Sequence, residues 1–217
     1  MKRLLFLNGS PRGKAATSFR FLEGIAGRLP TDTYHIEMIT APARAGKTVP
    51  REILETLNRC DTAVISFPLY AYSLPANLTQ FFEEYSKAYG KAVSGNVDVS
   101  VHDRTPRLYT VVNSGYYDPE VNREALRVMR HFAGRNGFSY RFGAAFGGGM
   151  VTAMLEKIPL VNRRLLMVYK ALIEDLADDG VYRGEDFYIR PFIPKRVMLF
   201  MKDSEISKKI MAKKLEG

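Results

Sequence analysis

Short apolar runs alternating with helical patterns restrict this chain more than any other feature of it. The runs fall at residues 3–8 (RLLFLN), 34–39 (YHIEMI), 62–67 (TAVISF), 107–113 (RLYTVVN) and 139–146 (SYRFGAAF). The first, third and fourth are nearly continuous, as strands are when both faces of a sheet are covered. Between the runs, Leu22, Ile25, Ala26 and Leu29 share one helical face. So do Leu78, Phe81, Phe82, Tyr85 and Tyr89, and again Val121, Ala125, Val128, Met129 and Phe132. Pro75 and Pro119 stand at helix starts, the second behind Asp118, a good N-cap. This alternation predicts an α/β fold: a parallel sheet of five strands with helices on both sides.

Past residue 150 the pattern changes. A long helical stretch (151–179) contains Pro159 and ends at Asp178-Asp179-Gly180. A loop with "IRPFIP" (189–194) follows, then a basic helix from about 195 that carries Lys208, Lys209, Lys213 and Lys214. Residues 1–150 are therefore expected to form the core, and 151–217 a helical C-terminal extension of the same domain. The excess of 32 Lys and Arg over 23 Asp and Glu would favour nucleic acid, an anionic surface or a phosphorylated small molecule. No RNP motif or other nucleic-acid signature accompanies it. Cys60 is the single cysteine, so no intramolecular disulfide forms and a reducing compartment fits. The apolar run at 4–7 is too short for a signal peptide, and no window approaches the ~18 residues of a membrane span. These features predict a cytoplasmic protein with no integral membrane segment.

In an open parallel sheet, ligands bind at the carboxyl ends of the strands, near the point where strand order reverses. Four loops meet that condition: 9–18, 68–75, 113–118 and 147–150. The first lies in "NGSPRGKAATS" and offers a phosphate the amides of a helix start, the hydroxyls of Ser10, Thr17 and Ser18, and the cations Arg12 and Lys14. A plain turn with a Ser/Thr cap would need fewer such groups. The spacing is not that of an ATP-binding P-loop: three residues separate Gly9 from Gly13, and Ala15 follows Lys14. "APARAGKT" (41–48) has the spacing but begins with Ala41, and Pro50 lies just beyond it. "GGGMVT" (147–152) has Thr152 where a dinucleotide fingerprint needs its third glycine.

In the second loop, Pro68, Leu69, Tyr70, Ala71, Tyr72 and Ser73 combine a rigid backbone with aromatic faces that suit a flat ring. In the third, Asn113, Ser114, Gly115 and Tyr116 offer polar groups and close backbone approach. In the fourth, Gly147 and Gly148 permit close approach or a flexible turn. His35, His102 and His131 show no metal-ligand spacing, and Cys60 has no evident activating partner.

"GSPRGKAATS" together with "FPLYAYSLPANLTQFFE" (67–83) resembles the flavodoxin-like NAD(P)H-dependent FMN reductase and quinone oxidoreductase family. The resemblance implies a three-layer, doubly wound sheet in the order 2-1-3-4-5. It implies that the first loop holds the FMN phosphate and that the second lies along the isoalloxazine. NAD(P)H would be the co-substrate, a small molecule the electron acceptor, and a homodimer the usual assembly. Flavin N5 would carry the reaction, so no catalytic side chain is expected. The chain departs from relatives at Ala15 and Ala16, where some carry Gly-Asn, and at Ala71, where many carry Trp. With Cys60 alone, an iron–sulfur cluster is excluded. An FMN-binding electron carrier or redox sensor without NAD(P)H turnover is the alternative, and a basic RNA- or surface-binding protein a third reading.

Overall fold

Strands form almost where the apolar runs stand. In the computed structural model they are β1 (Lys2–Asn8), β2 (Tyr34–Thr40), β3 (Thr62–Pro68), β4 (Arg107–Asn113), β5 (Ser139–Phe146) and β6 (Phe187–Ile189). The structure describes residues 1–42, 46, 48–90, 105–154, 159–177 and 184–198. The sheet is wholly parallel, in the order β2-β1-β3-β4-β5-β6. The expected order is present, but the expected five strands become six. β6 has three residues, too short to show a period, and is set by its partner: Phe187, Tyr188 and Ile189 pair with Ala144, Ala145 and Phe146.

The helices are α1 (Thr17–Ala26), α2 (Arg51–Arg59), α3 (Ala76–Tyr89), α4 (Arg123–Arg135), α5 (Gly149–Met154) and α6 (Pro159–Ala177). One face of the sheet packs on α2, α3 and α4 through residues such as Leu7, Ile65, Val112, Leu57, Phe81 and Met129. The other packs on α1 and α6 through Phe6, Val64, Phe146, Phe21, Leu165 and Leu172. Of the helical stretch expected over 151–179, the structure describes α5 to Met154 and α6 from Pro159 to Ala177; residues 155–158 and 178–179 lie outside the described residues. The segment expected as a helical extension also supplies a strand: it adds β6 to the sheet edge and covers the sheet with α6. The supposed cap at Asp178-Asp179-Gly180 and the lysines 208, 209, 213 and 214 lie outside the described residues.

A buried ion cluster fixes the direction of α6. Asp175 is 3% exposed. Its carboxylate accepts from Arg141 Nε (2.9 Å), Arg141 Nη2 (2.6 Å) and the Tyr109 hydroxyl (2.5 Å). Arg107 donates to its carbonyl oxygen at 2.6 Å. These partners sit at the amino ends of β4 and β5, so the last turns of α6 lie there. Its first turns lie at the carboxyl end, beside the loops that concern function.

Candidate functional site

At the carboxyl end of β1, the chain must turn out of the sheet and enter α1. Asn8, fully buried, organises that turn. Its Nδ2 donates to the Gly13 carbonyl (2.9 Å) and weakly to Thr40 Oγ1 (3.4 Å). Its Oδ1 accepts from the Ser18 hydroxyl (2.8 Å) and the Ser10 amide (3.2 Å). The Arg12 amide donates to Ser10 Oγ at 3.3 Å, and a 3-10 turn over Gly13–Ala15 leads into the helix. Ala16 occupies the N-cap of α1, and no side chain caps it. A Ser/Thr cap therefore does not account for the hydroxyls: Ser18 is spent on Asn8. The first-turn amides of α1 keep their capacity for an anion, bordered by Ser10, Thr17 and the exposed Arg12 and Lys14.

The second loop is strained. The amides and carbonyls of Tyr70 and Ser73 bond each other reciprocally at 2.9 Å, closing a two-residue turn. Its central residues, Ala71 and Tyr72, have φ of 46° and 62°. Such a turn normally holds Asn or Gly, and each L-residue in the left-handed region costs on the order of 1 kcal/mol. The turn holds Tyr70, Ala71, Tyr72 and Ser73 outward and exposed, while Leu69 is buried and Pro68 half-buried. Strand pairing continues into the neighbouring loop, where the Leu69 amide donates to the Asn113 carbonyl at 2.8 Å.

Tyr72 meets Tyr116 across the site, the rings stacked with centroids 5.3 Å apart and planes inclined by 23°. A hydrogen bond to Tyr116 raises the Tyr72 phenol above its ordinary pKa. Asn113 and Ser114 are buried behind them, and Asn113 Oδ1 has no hydrogen-bond partner. Gly115 is exposed. Asn122 donates to Ser114 Oγ at 3.4 Å.

Gly147 and Gly148 serve packing rather than open access. Both are buried, and their amides donate to the carbonyls of Ile189 (3.0 Å) and Tyr116 (2.6 Å). A Cβ on Gly147 would collide with the Tyr117 carbonyl, and Gly148 has a φ of 54°. Loop 147–150 thus binds loop 113–118 to β6 without leaving these two amides for a ligand.

Elsewhere the competing candidates lose ground. In "APARAGKT", residues 43–45 and Lys47 lie outside the described residues; the Gly46 amide donates to Gln80 and that of Val49 to Glu84. Three residues, Thr48 to Pro50, intervene before α2 begins. Cys60 is buried and donates to the Leu57 carbonyl at 3.2 Å. Burial, with Asp61 adding to it, pushes its thiol up to about 12, so it is no nucleophile near neutral pH. Among the described residues no group of three His, Cys, Asp or Glu could hold a metal; His102 lies outside them. No described helix is long and apolar enough to cross a membrane.

Sequence reasoning missed Asn8, which reads as the last residue of a strand. It also missed Asn77, buried at the start of α3, whose Nδ2 donates to the Gly9 carbonyl at 3.4 Å. A polar residue closing an apolar run just before a Gly-Ser turn was the available signal for Asn8.

A protein family described as having a flavodoxin-like fold matches residues 2–141, well over half of the chain. The chain belongs to this family. Its solved structural relatives include the NAD(P)H:quinone oxidoreductase of Methanothermobacter marburgensis, 16% identical, with a TM-score of 0.57 over 83% of this chain and 98% of that one. An NADPH-quinone reductase from P. pentosaceus is 18% identical, with a TM-score of 0.53 over 83% and 100% of the two chains. An FMN-dependent NADH-azoreductase from Bacillus anthracis, solved with FMN, is 19% identical, with a TM-score of 0.52 over 82% and 100%. At these identities the likeness is one of fold. No curated protein matches the chain.

Proposed function

We propose that the chain is an FMN-dependent oxidoreductase that takes hydride from NAD(P)H and reduces a small acceptor such as a quinone, flavin, nitro or azo compound. The observation that carries this reading is the uncapped start of α1, held open by Asn8 and Ser18 beside Ser10 and Arg12. An anion is the group such a seat lacks. The rest of the site suits the remainder of FMN. Asn113 Oδ1, buried and without a partner, can accept from an N–H on the pyrimidine edge of a flavin. Tyr70 and Tyr72 present aromatic faces to a ring. The reductases that share the fold point the same way.

Bound there, FMN would supply the hydride and electron chemistry. The protein's part is to bind and to shape. Arg12, Lys14 and the α1 amides would neutralise and orient the phosphate, and loops 68–75 and 113–118 would wall the ring. At 5.3 Å between centroids, Tyr72 and Tyr116 leave no room for a third ring between them. A ring entering there must part them, whereas one lying on the outer face of either need not. We infer that donor and acceptor use one space over the flavin in turn, by a ping-pong scheme. We infer a cytoplasmic homodimer, since a lone buried thiol suits a reducing compartment and the resemblance set out above implies pairing; size-exclusion chromatography tests the pairing.

A visible spectrum before and after FMN loading and desalting tests the reading. Retained bands near ~375 and ~450 nm, characteristic of a bound flavin, together with NAD(P)H oxidation, are expected. Absence of retained flavin together with absence of calorimetric FMN binding would overturn it.

A further inference from the structure

β6 brings new groups to the functional end of the sheet. Immediately after it come Arg190, Pro191 and Phe192, and the first turns of α6 place Arg164 beside them. A shallow cleft, enclosing only about 10 Å³, is lined by Thr152, Arg164, Arg190 and Phe192 over the buried Leu165 and Ile189. Phe192 is 54% exposed, unusual for so large an apolar ring. Arg164 is exposed and has no acidic partner among the described residues. Arg190 approaches Asp118 at 3.8 Å, with 58% and 53% of the two side chains exposed, so the pair is loose and the guanidinium can exchange it for a stronger acceptor. Exposed Lys195 and Arg196 follow in the chain, and Met198 packs beside Gly148.

Two guanidinium forks next to an exposed aromatic face form a chemical pair. Arginine forks bind phosphate bidentately, and a free ring face accepts a flat base. The enclosed space is too small for a whole group, so a ligand would lie along the rim. We propose that this cleft takes the adenosine 2′-phosphate end of NADPH, making NADPH the preferred hydride donor. The inference rests on the oxidoreductase reading given above. The reach is short: β6 is two strands from β4, whose loop carries Asn113 and Tyr116, a separation of about 10 Å at ordinary strand spacing. A dinucleotide with its nicotinamide over that loop can extend its other end to the cleft.

Isothermal titration of the FMN-loaded protein with 2′,5′-ADP and with 5′-AMP tests the site directly, alongside KM for NADPH and NADH. At least about ten-fold tighter binding of 2′,5′-ADP is expected, the scale of one charge-assisted phosphate contact. In Arg164→Gln/Arg190→Gln the two nucleotides should bind within about two-fold of each other, and the NADPH preference in KM should fall with them. Both arginines are exposed, and an unchanged melting curve checks that the variant folds. Phe192→Ala should weaken both nucleotides alike. Retained FMN with equal nucleotide affinities in the wild type, or a preference surviving in the double variant, would overturn the inference alone. Failure of the wild type to bind FMN would instead overturn the oxidoreductase reading beneath it.

Discussion

Replacing Asn8 by alanine is the sharpest test of how the phosphate seat is built. The side chain is wholly buried and makes three hydrogen bonds of ordinary length, at 2.8, 2.9 and 3.2 Å, besides the longer one to Thr40. Each is worth about 1 kcal/mol net. The variant also leaves the Ser18 hydroxyl, the Ser10 amide and the Gly13 carbonyl to find water. A loss of about 3 kcal/mol follows, or a fall in Tm of about 6–12 °C for a domain of this size. Urea unfolding should be followed without FMN, because a ligand that binds the folded state would mask the effect. Adding Ser18→Ala refines the test. Ser18 loses its bond in either single variant, so the double variant should be less destabilised than the sum by about 1 kcal/mol. FMN affinity should fall in Asn8→Ala although Asn8 need not touch the cofactor. A loss below about 0.5 kcal/mol, or strict additivity with Ser18→Ala, would refute the bracing role.

Other expectations are as specific. Ser10→Ala/Arg12→Ala should weaken FMN binding by at least ~1.5 kcal/mol, the scale of a charge-assisted hydrogen bond; unchanged affinity by fluorescence titration would place the phosphate elsewhere. Ala71→Gly relieves a left-handed backbone worth about 1 kcal/mol and loosens the unfolded chain by somewhat less, so a small gain in stability is expected from urea midpoints. Asp175→Asn breaks a buried carboxylate–guanidinium pair and should cost about 3–5 kcal/mol in the same assay. Cys60, raised from 9.0 to about 12 by burial, contributes stability that is fully present below pH 9.0 and lost as pH rises toward about 12. Iodoacetamide at pH 8.5 should therefore label it only after unfolding, as mass spectrometry would show.

Much of the frame is readable without coordinates because parallel strands covered on both faces must be apolar throughout. β1, β3 and β4 announce themselves that way. β6 does not: FYI is as compatible with a loop or a helix end as with a strand, and only the free edge of β5 decides it. The consequence reaches the proposed nucleotide cleft, since Arg190 and Phe192 follow β6 and have no visible place in a linear reading. The site divides along the same line. Ser10, Arg12 and the tyrosines are legible because their chemistry is exposed in the string of residues. The work of Asn8 is not, because its partners, from Gly13 to Thr40, are defined by the turn it creates. Gly147 and Gly148 read as openings for a ligand, while their neighbours, Tyr116, Tyr117 and Ile189, show them to be points of close packing.

Charge, more than cavity size, makes the carboxyl end of the sheet the better seat for an anion. A cavity of about 430 Å³ lies near the amino ends of β1 and β2, lined by Arg3, His35, Glu37, Glu52, Glu55 and Arg59. It is far larger than the cleft by Arg190, yet its three carboxylates would repel a phosphate, and Glu55 is paired with Arg51 and Arg59. Asp61, Asp175 and Asp186 also stand beside the starts of strands, where they hold Arg3, Arg141 and Arg130. Those acids fix the frame and neutralise cations at that end. The carboxyl end keeps Arg12, Lys14, Arg164 and Arg190 with Asp118 as a loose counter-charge, together with the uncapped start of α1 and the strained turn at Ala71 and Tyr72. A chain that spent its cations on stability would pair them as the amino end does. Exposed and, among the described residues, held at most by that loose pair, the cations at the carboxyl end are free to meet phosphate at the two places proposed above.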